Sequence, residues 1–181
     1  MKKGKKKKKA GGIARRILDT GVFILSVLII AFVMSRYVVE RVKVHNHSME
    51  HTLEEGDSVI IDKISYRFRE PERYEIIVFK HKGTGEDLIK RVIGLPFETV
   101  QIVGGEFYID GEKIDDVKGL DSPEYAGLAQ DPLKLSVGEY FVVGDNREES
   151  IDSRYDEVGI VTSTRITGRM LFKLGHINNG K

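Results

Sequence analysis

Between Ile17 and Val39 the chain reads ILDTGVFILSVLIIAFVMSRYVV, and the centre of this run, Gly21 to Ser35, carries no charge. About 20 apolar residues in a helix cross the hydrocarbon core of a bilayer. A run of this kind constrains the rest of the chain, which must fold on one side of a membrane. Asp19 and Arg36 sit near its ends, where side chains reach the headgroups. Seven lysines (Lys2, Lys3 and Lys5 to Lys9) and Arg15 and Arg16 precede it, with no acid among the first 16 residues. The positive-inside rule then predicts a basic cytoplasmic segment over 1–16, a transmembrane helix over 17–39 and an extracytoplasmic domain over 40–181.

The net charge of +1 therefore hides a basic start and an acidic remainder. A lysine block on its own also suits a nucleic-acid arm. Lysines abutting a span are already accounted for by membrane lipid, so no nucleic acid is read as a partner. A cleavable signal peptide shares the basic start and apolar core. The run here ends in VMSRYVVERV, without a small-x-small cleavage site, and reads as an uncleaved anchor.

Beyond residue 40 the pattern is mostly β. DSVIIDK (57–63), YEIIVFK (74–80) and DLIKRVIGL (87–95) are β-branched or aromatic runs bounded by turn residues. EYFVVGDN (139–146) and RITGRMLFKL (165–174) read the same way, and TVQIVGGEFYIDGEKI (99–114) reads as two hairpins. Gly104-Gly105 and Asp110-Gly111 supply the positive φ that tight hairpin turns need. Residues 115–132 are polar and aperiodic, which predicts a surface loop. The fold class is mostly β: one N-terminal transmembrane helix and a β-rich, barrel-like domain.

The chain has no cysteine, which excludes disulfides, thiolate catalysis and thiolate metal sites. No Walker-type loop is present, and no cofactor is called for. Chemistry concentrates instead in HNHSMEHTL, residues 45–53. A serine hydroxyl is a poor nucleophile without a base in hydrogen-bond reach. On an extended chain His45 and His47 face one side and Ser48 the other, so His47 is badly placed as that base. His45, His47 and His51 lack an acid in fixed register to complete a metal site, and none is assigned. A lysine can serve as base where burial strips its charge. In an alternating strand Lys90 shares its face with Leu88 and Val92, an apolar setting.

Three segments, SMEHTLEEGD (48–57), KRVIGLP (90–96) and GDNREESIDSR (144–154), together resemble those of the type I signal peptidases, membrane-bound serine–lysine proteases. Ser48-Met49-Glu50-His51-Thr52-Leu53 matches the family's Ser-Met-x-Pro-Thr-Leu, followed by Gly56-Asp57. Lys90-Arg91-Val92-Ile93-Gly94-Leu95-Pro96 matches its lysine segment. Gly144-Asp145-Asn146-Arg147, Ser150 and Asp152-Ser153-Arg154 match the last. The resemblance implies Ser48 as nucleophile and Lys90 as base, acting on exported preproteins with small residues at the first and third positions before the cut. It implies that Ser150 hydrogen-bonds the lysine, that Asp152 and Arg154 form a scaffolding ion pair, and that Met49 contacts substrate.

This chain departs from the family pattern at three places. His51 replaces the family proline, Phe97-Glu98 a common Gly-Asp pair, and Asn46 a frequent Gly or Ser. Asn46 lies two residues before the nucleophile, and its amide could donate to the reaction's oxyanion or shape a turn. Two other readings stay open on sequence alone: a self-cleaving serine–lysine protein of the SOS-repressor type, and an inactive anchored β-domain that binds partners. Nothing in the sequence sets an oligomeric state.

Overall fold

The computed structural model describes residues 4–115, 117 and 120–175, in two units divided after Val38. The first unit is a helix, α1 (Gly4–Val33), ending in a π-turn (Met34–Val38). Within it Arg15–Val38 is long and apolar enough to cross a membrane, with mean hydropathy 2.5. The helix thus reaches further back than the run read from hydropathy. At the other end Val39 belongs to a strand instead.

The second unit is built on antiparallel strands. The larger sheet contains β1 (Val39–Lys43), β2 (Ser58–Asp62), β3 (Ile76–Lys80), β4 (Asp87–Gly94), β9 (Glu139–Val143), β10 (Val161–Thr162) and β11 (Ile166–Gly175). Its order is β1-β2-β11-β3-β4-β9-β10. The smaller sheet holds β5 (Thr99–Val103), β6 (Glu106–Ile109), β7 (Glu112–Lys113) and β8 (Leu133–Lys134), ordered β7-β6-β5-β8. The mostly-β expectation holds, but among the described residues neither sheet closes into a barrel, because β1 and β10 end the larger sheet without pairing to each other.

Side-chain alternation explains the layering. On β3, Ile77 and Phe79 pack with Val92, Tyr140 and Val142, whereas Val78 packs with Met49, Leu53 and Ile61. β3 is therefore buried on both faces, as a central strand must be. A third cluster, including Ile93, Val100, Phe107 and Phe141, joins the two sheets. The two hairpins form at the expected turns, with positive φ at Gly104, Gly105, Asp110 and Gly111. In the 115–132 loop, Asp116, Lys118 and Gly119 lie outside the described residues. A short 3-10 turn, Gly127–Ala129, buries Ala129 there.

Two departures from the family pattern have a backbone counterpart. His51 sits at φ 78, a conformation closed to proline, whose ring holds φ near −65°. Phe97 sits at φ 71, where a glycine fits without strain. A left-handed conformation costs a residue with a Cβ about 1–2 kcal/mol, and Phe97, 64% exposed, recovers little of it by burial. Phe97→Gly should stabilise the protein by about 0.5–1 kcal/mol, after subtracting the entropy glycine adds to the unfolded chain. Urea unfolding of both proteins checks this, and an equal or lower midpoint for the variant counts against strain at this turn.

Candidate active site

Ser48 lies in a tight turn, not on an extended strand. After β1, Val44 N–H donates to Asp57 O (2.8 Å) and Gly56 N–H returns to Val44 O (2.9 Å). Between them Glu50 N–H donates to His47 O (3.0 Å) and Leu53 N–H to Met49 O (2.7 Å). Met49 and Leu53 anchor this turn in the core. Met49, at 1% exposure, lies in the core beneath this turn.

The bend at Asn46 also breaks the alternation expected of His45, His47 and Ser48. His47 pairs with Glu50 and lies 3.4 Å from Glu55. His51 lies 3.5 Å from Asp121. Neither imidazole contacts the Ser48 hydroxyl, whose partners are Lys90 and Asn46.

Lys90 projects from β4 on the face shared with Leu88 and Val92, which pack in one apolar cluster. Its Nζ donates to Ser48 Oγ at 2.6 Å, and the side chain is 1% exposed. Burial pushes its pKa down from the ordinary lysine value to about 8. The carboxylates of Asp152 and Asp145 pull it upward and the Arg154 guanidinium pushes it down, both by less than burial does.

The segment after β9 forms the other wall. Asp152 and Arg154 make a fully buried bidentate pair, Nε to Oδ1 and Nη2 to Oδ2, both 2.9 Å. Asp152 Oδ2 also accepts Gly144 N–H (2.9 Å), and Arg154 Nη2 donates to Arg147 O (2.8 Å). The pair therefore ties the loop to the end of β9. Asn146 N–H donates to Ser48 O at 3.2 Å. Gly144 is what permits this approach: a Cβ there would stand 2.4 Å from Ser48 O and 2.1 Å from Ser150 Oγ.

Ser150 and Asn46 support the site in different ways. Ser150 Oγ is buried with no hydrogen-bond partner, so it does not bond Lys90. It is wedged instead beside Gly144 and the nucleophile turn. Asn46 meets Ser48 through its acceptor end, with Oδ1 accepting Ser48 Oγ–H (2.7 Å) and Ser48 N–H (3.3 Å). The donor end of the amide does not face the serine in this geometry.

Sequence reasoning missed a second buried pair. Arg91 Nε donates to Asp145 Oδ1 (2.7 Å), Nη2 reaches Oδ2, and Thr52 Oγ1 donates to the same carboxylate. This links β4, the nucleophile turn and the loop after β9. The signal was present, because alternation puts Arg91 on the face opposite Lys90, and a buried guanidinium requires an acid. Asn46, Ser48, Leu88, Lys90 and Ile151 line a cleft of about 340 Å³ with acids on its rim. A hydroxyl next to a sealed amine, opening on such a cleft, can attack an acyl carbon.

A family model described as signal peptidase, peptidase S26, matches residues 17–174. The chain is 37% identical over 169 residues to a probable signal peptidase I-2 of Synechocystis sp., covering 90% of this chain and 75% of that protein. It is 35% identical over 159 residues to signal peptidase I of Leptolyngbya laminosa, covering 83% and 76%. Signal peptidase I T of Bacillus subtilis is 31% identical over 162 residues, covering 86% and 83%. With a match across nearly all of its length and relatives this similar, the chain belongs to the signal peptidase family, peptidase S26.

Proposed function

We propose that this chain is a membrane-anchored serine endopeptidase that removes signal peptides from exported preproteins, with Ser48 as nucleophile and Lys90 as general base. The observation that carries the assignment of roles is the buried Lys90 Nζ at 2.6 Å from Ser48 Oγ. Neutral Lys90 takes the hydroxyl proton as Ser48 Oγ bonds to the substrate's carbonyl carbon. The tetrahedral oxyanion draws on Ser48 N–H, which it takes over from Asn46 Oδ1. A half-turn of the Asn46 amide then offers Nδ2 as a second donor. Lys90 ammonium gives its proton to the leaving amine, the C–N bond breaks and an acyl-Ser48 remains. Lys90, neutral again, takes a proton from a water that attacks the ester carbon; the Ser48 Oγ–acyl bond then breaks and Lys90 returns the proton to Oγ, which restores the Ser48 hydroxyl and releases the carboxylic acid.

Asp145 and Asp152 act as scaffold, each neutralised by an arginine. Ser150 and Gly144 set the spacing between the two walls. The anchor places the site near its substrate, since nine residues from Val39 to Ser48 reach at most about 30 Å. The basic first 16 residues orient the N-terminus to the cytoplasm and the β domain outside.

Cleavage of a detergent-solubilised preprotein, with N-terminal sequencing of the product, tests these roles. Ser48→Ala and Lys90→Ala should each fall to background, with the double variant no worse, because the two act as one unit. Lys90→Arg should also fail, since a guanidinium stays protonated. Substantial turnover by Lys90→Arg excludes lysine as the base. His45→Gln and His47→Gln should keep most activity, and loss in either returns a histidine to the mechanism.

The pH profile follows from the lowered lysine. Below about 8 the amine is protonated and inert, so kcat/KM should rise with pH through about 8. Asn46→Asp sets a carboxylate against Ser48 and near the Lys90 ammonium, which favours the charged form. Its rising limb should move to higher pH. An unmoved limb means that Asn46 does not sit against the dyad during turnover.

A further inference from the structure

The cleft over Ser48 and Lys90 combines an apolar floor with an acidic rim. Leu88, Ile151 and Val158 supply the apolar surface. Ile151 is 49% exposed, although Ser150 and Asp152 on either side of it are buried. The backbone that the Asp152–Arg154 pair fixes thus presents this side chain to the cleft. Glu86 lines the same cleft from the β3–β4 connection, and Glu149 and Glu157 line it from two turns of the loop after β9. All three acids are exposed, and none makes an ion pair among the described residues.

The cations around this rim are committed elsewhere. His47 pairs with Glu50 and lies 3.4 Å from Glu55. Lys80 pairs with Asp87 at 2.9 Å, and Lys82 Nζ donates to Asp156 O. His81 Nδ1 accepts the N–H groups of Gly83 (3.2 Å) and Thr84 (3.1 Å), so that nitrogen carries no proton. The rim therefore holds uncompensated negative charge above an apolar floor. An apolar stem ending in a cation, the side chain of lysine or arginine, matches both features at once.

The chemistry restricts where on a substrate such a side chain can sit. The residue immediately before the cut stands against Lys90, whose amine is positive once it has taken the Ser48 proton, and a basic side chain there is repelled. On an extended substrate the second residue before the cut and the first residue after it share the opposite face. We propose that Glu86, Glu149 and Glu157, over Ile151 and Leu88, form a specificity subsite for a lysine or arginine at one of these two positions. An acid at that position is disfavoured. The inference rests on the reading of Ser48 and Lys90 as a peptidase dyad.

The test uses the full-length protein in detergent and a model preprotein with alanine at both positions. Lysine or glutamate then replaces each alanine in turn. At one of the two positions lysine should exceed glutamate by about tenfold in kcat/KM, and the contrast should shrink as salt is raised. The triple variant Glu86→Gln/Glu149→Gln/Glu157→Gln should lose the contrast while cleaving the alanine preprotein at the wild-type rate. Glu149→Lys/Glu157→Lys should reverse it. Cleavage of the alanine preprotein with lysine and glutamate equal at both positions overturns the subsite alone, as does a contrast that survives in the triple variant. No cleavage of the alanine preprotein by the wild type removes the peptidase reading, and the subsite with it.

Discussion

Everything in the site depends on keeping one lysine amine away from water. A buried ammonium without compensation is costly, and the protein meets that cost by letting the proton leave. Lys90 can lose its proton near pH 8 because it emerges from the middle of a central strand, on a face shared with Leu88 and Val92. Among the described residues, the only hydrogen-bond partner of its amine is the Ser48 hydroxyl. Burial thus sets the charge state and, at the same time, the direction in which the proton can move.

Two aspartates close to Lys90 work against this arrangement, since each carboxylate favours the ammonium. The structure blunts both with arginines: Arg91 holds Asp145, and Arg154 holds Asp152. These buried pairs need not add to stability over an apolar alternative. Their value here is electrostatic and geometric. They fasten β4, the turn at Ser48 and the loop after β9 to one another while leaving little free negative charge beside Lys90. Removing either arginine would release a carboxylate toward Lys90 and unfasten a wall of the cleft together.

Much of this was legible in the residues. β-branched runs located β2, β3, β4, β9 and β11, and Gly104-Gly105 and Asp110-Gly111 located the hairpins, because local sterics decide both. β1 was hidden because Tyr-Val-Val continues the apolar run, so hydropathy could not separate span from strand. β8 and β10, two residues each, are too short to carry a period. Sheet order and the absence of closure come from long-range packing, which no local pattern encodes. In the site, the strand periodicity placed Lys90 on its apolar face. Extended-chain logic failed across 46–52, where a turn rotates successive side chains off their alternating faces. That turn is why Met49 is core, why Asn46 presents its acceptor, and why Ser150 packs against Gly144 without bonding the lysine.

The most direct test of this account is the Lys90 titration itself. NMR of the Nζ or Cε resonance in lysine-labelled full-length protein, assigned with a Lys90→Met control, follows the amine independently of turnover. The account requires a midpoint near 8, the value burial imposes. A midpoint near the free lysine value of about 10.4 would mean that the amine stays charged at working pH, and the proposed base would have no lone pair with which to take the serine proton.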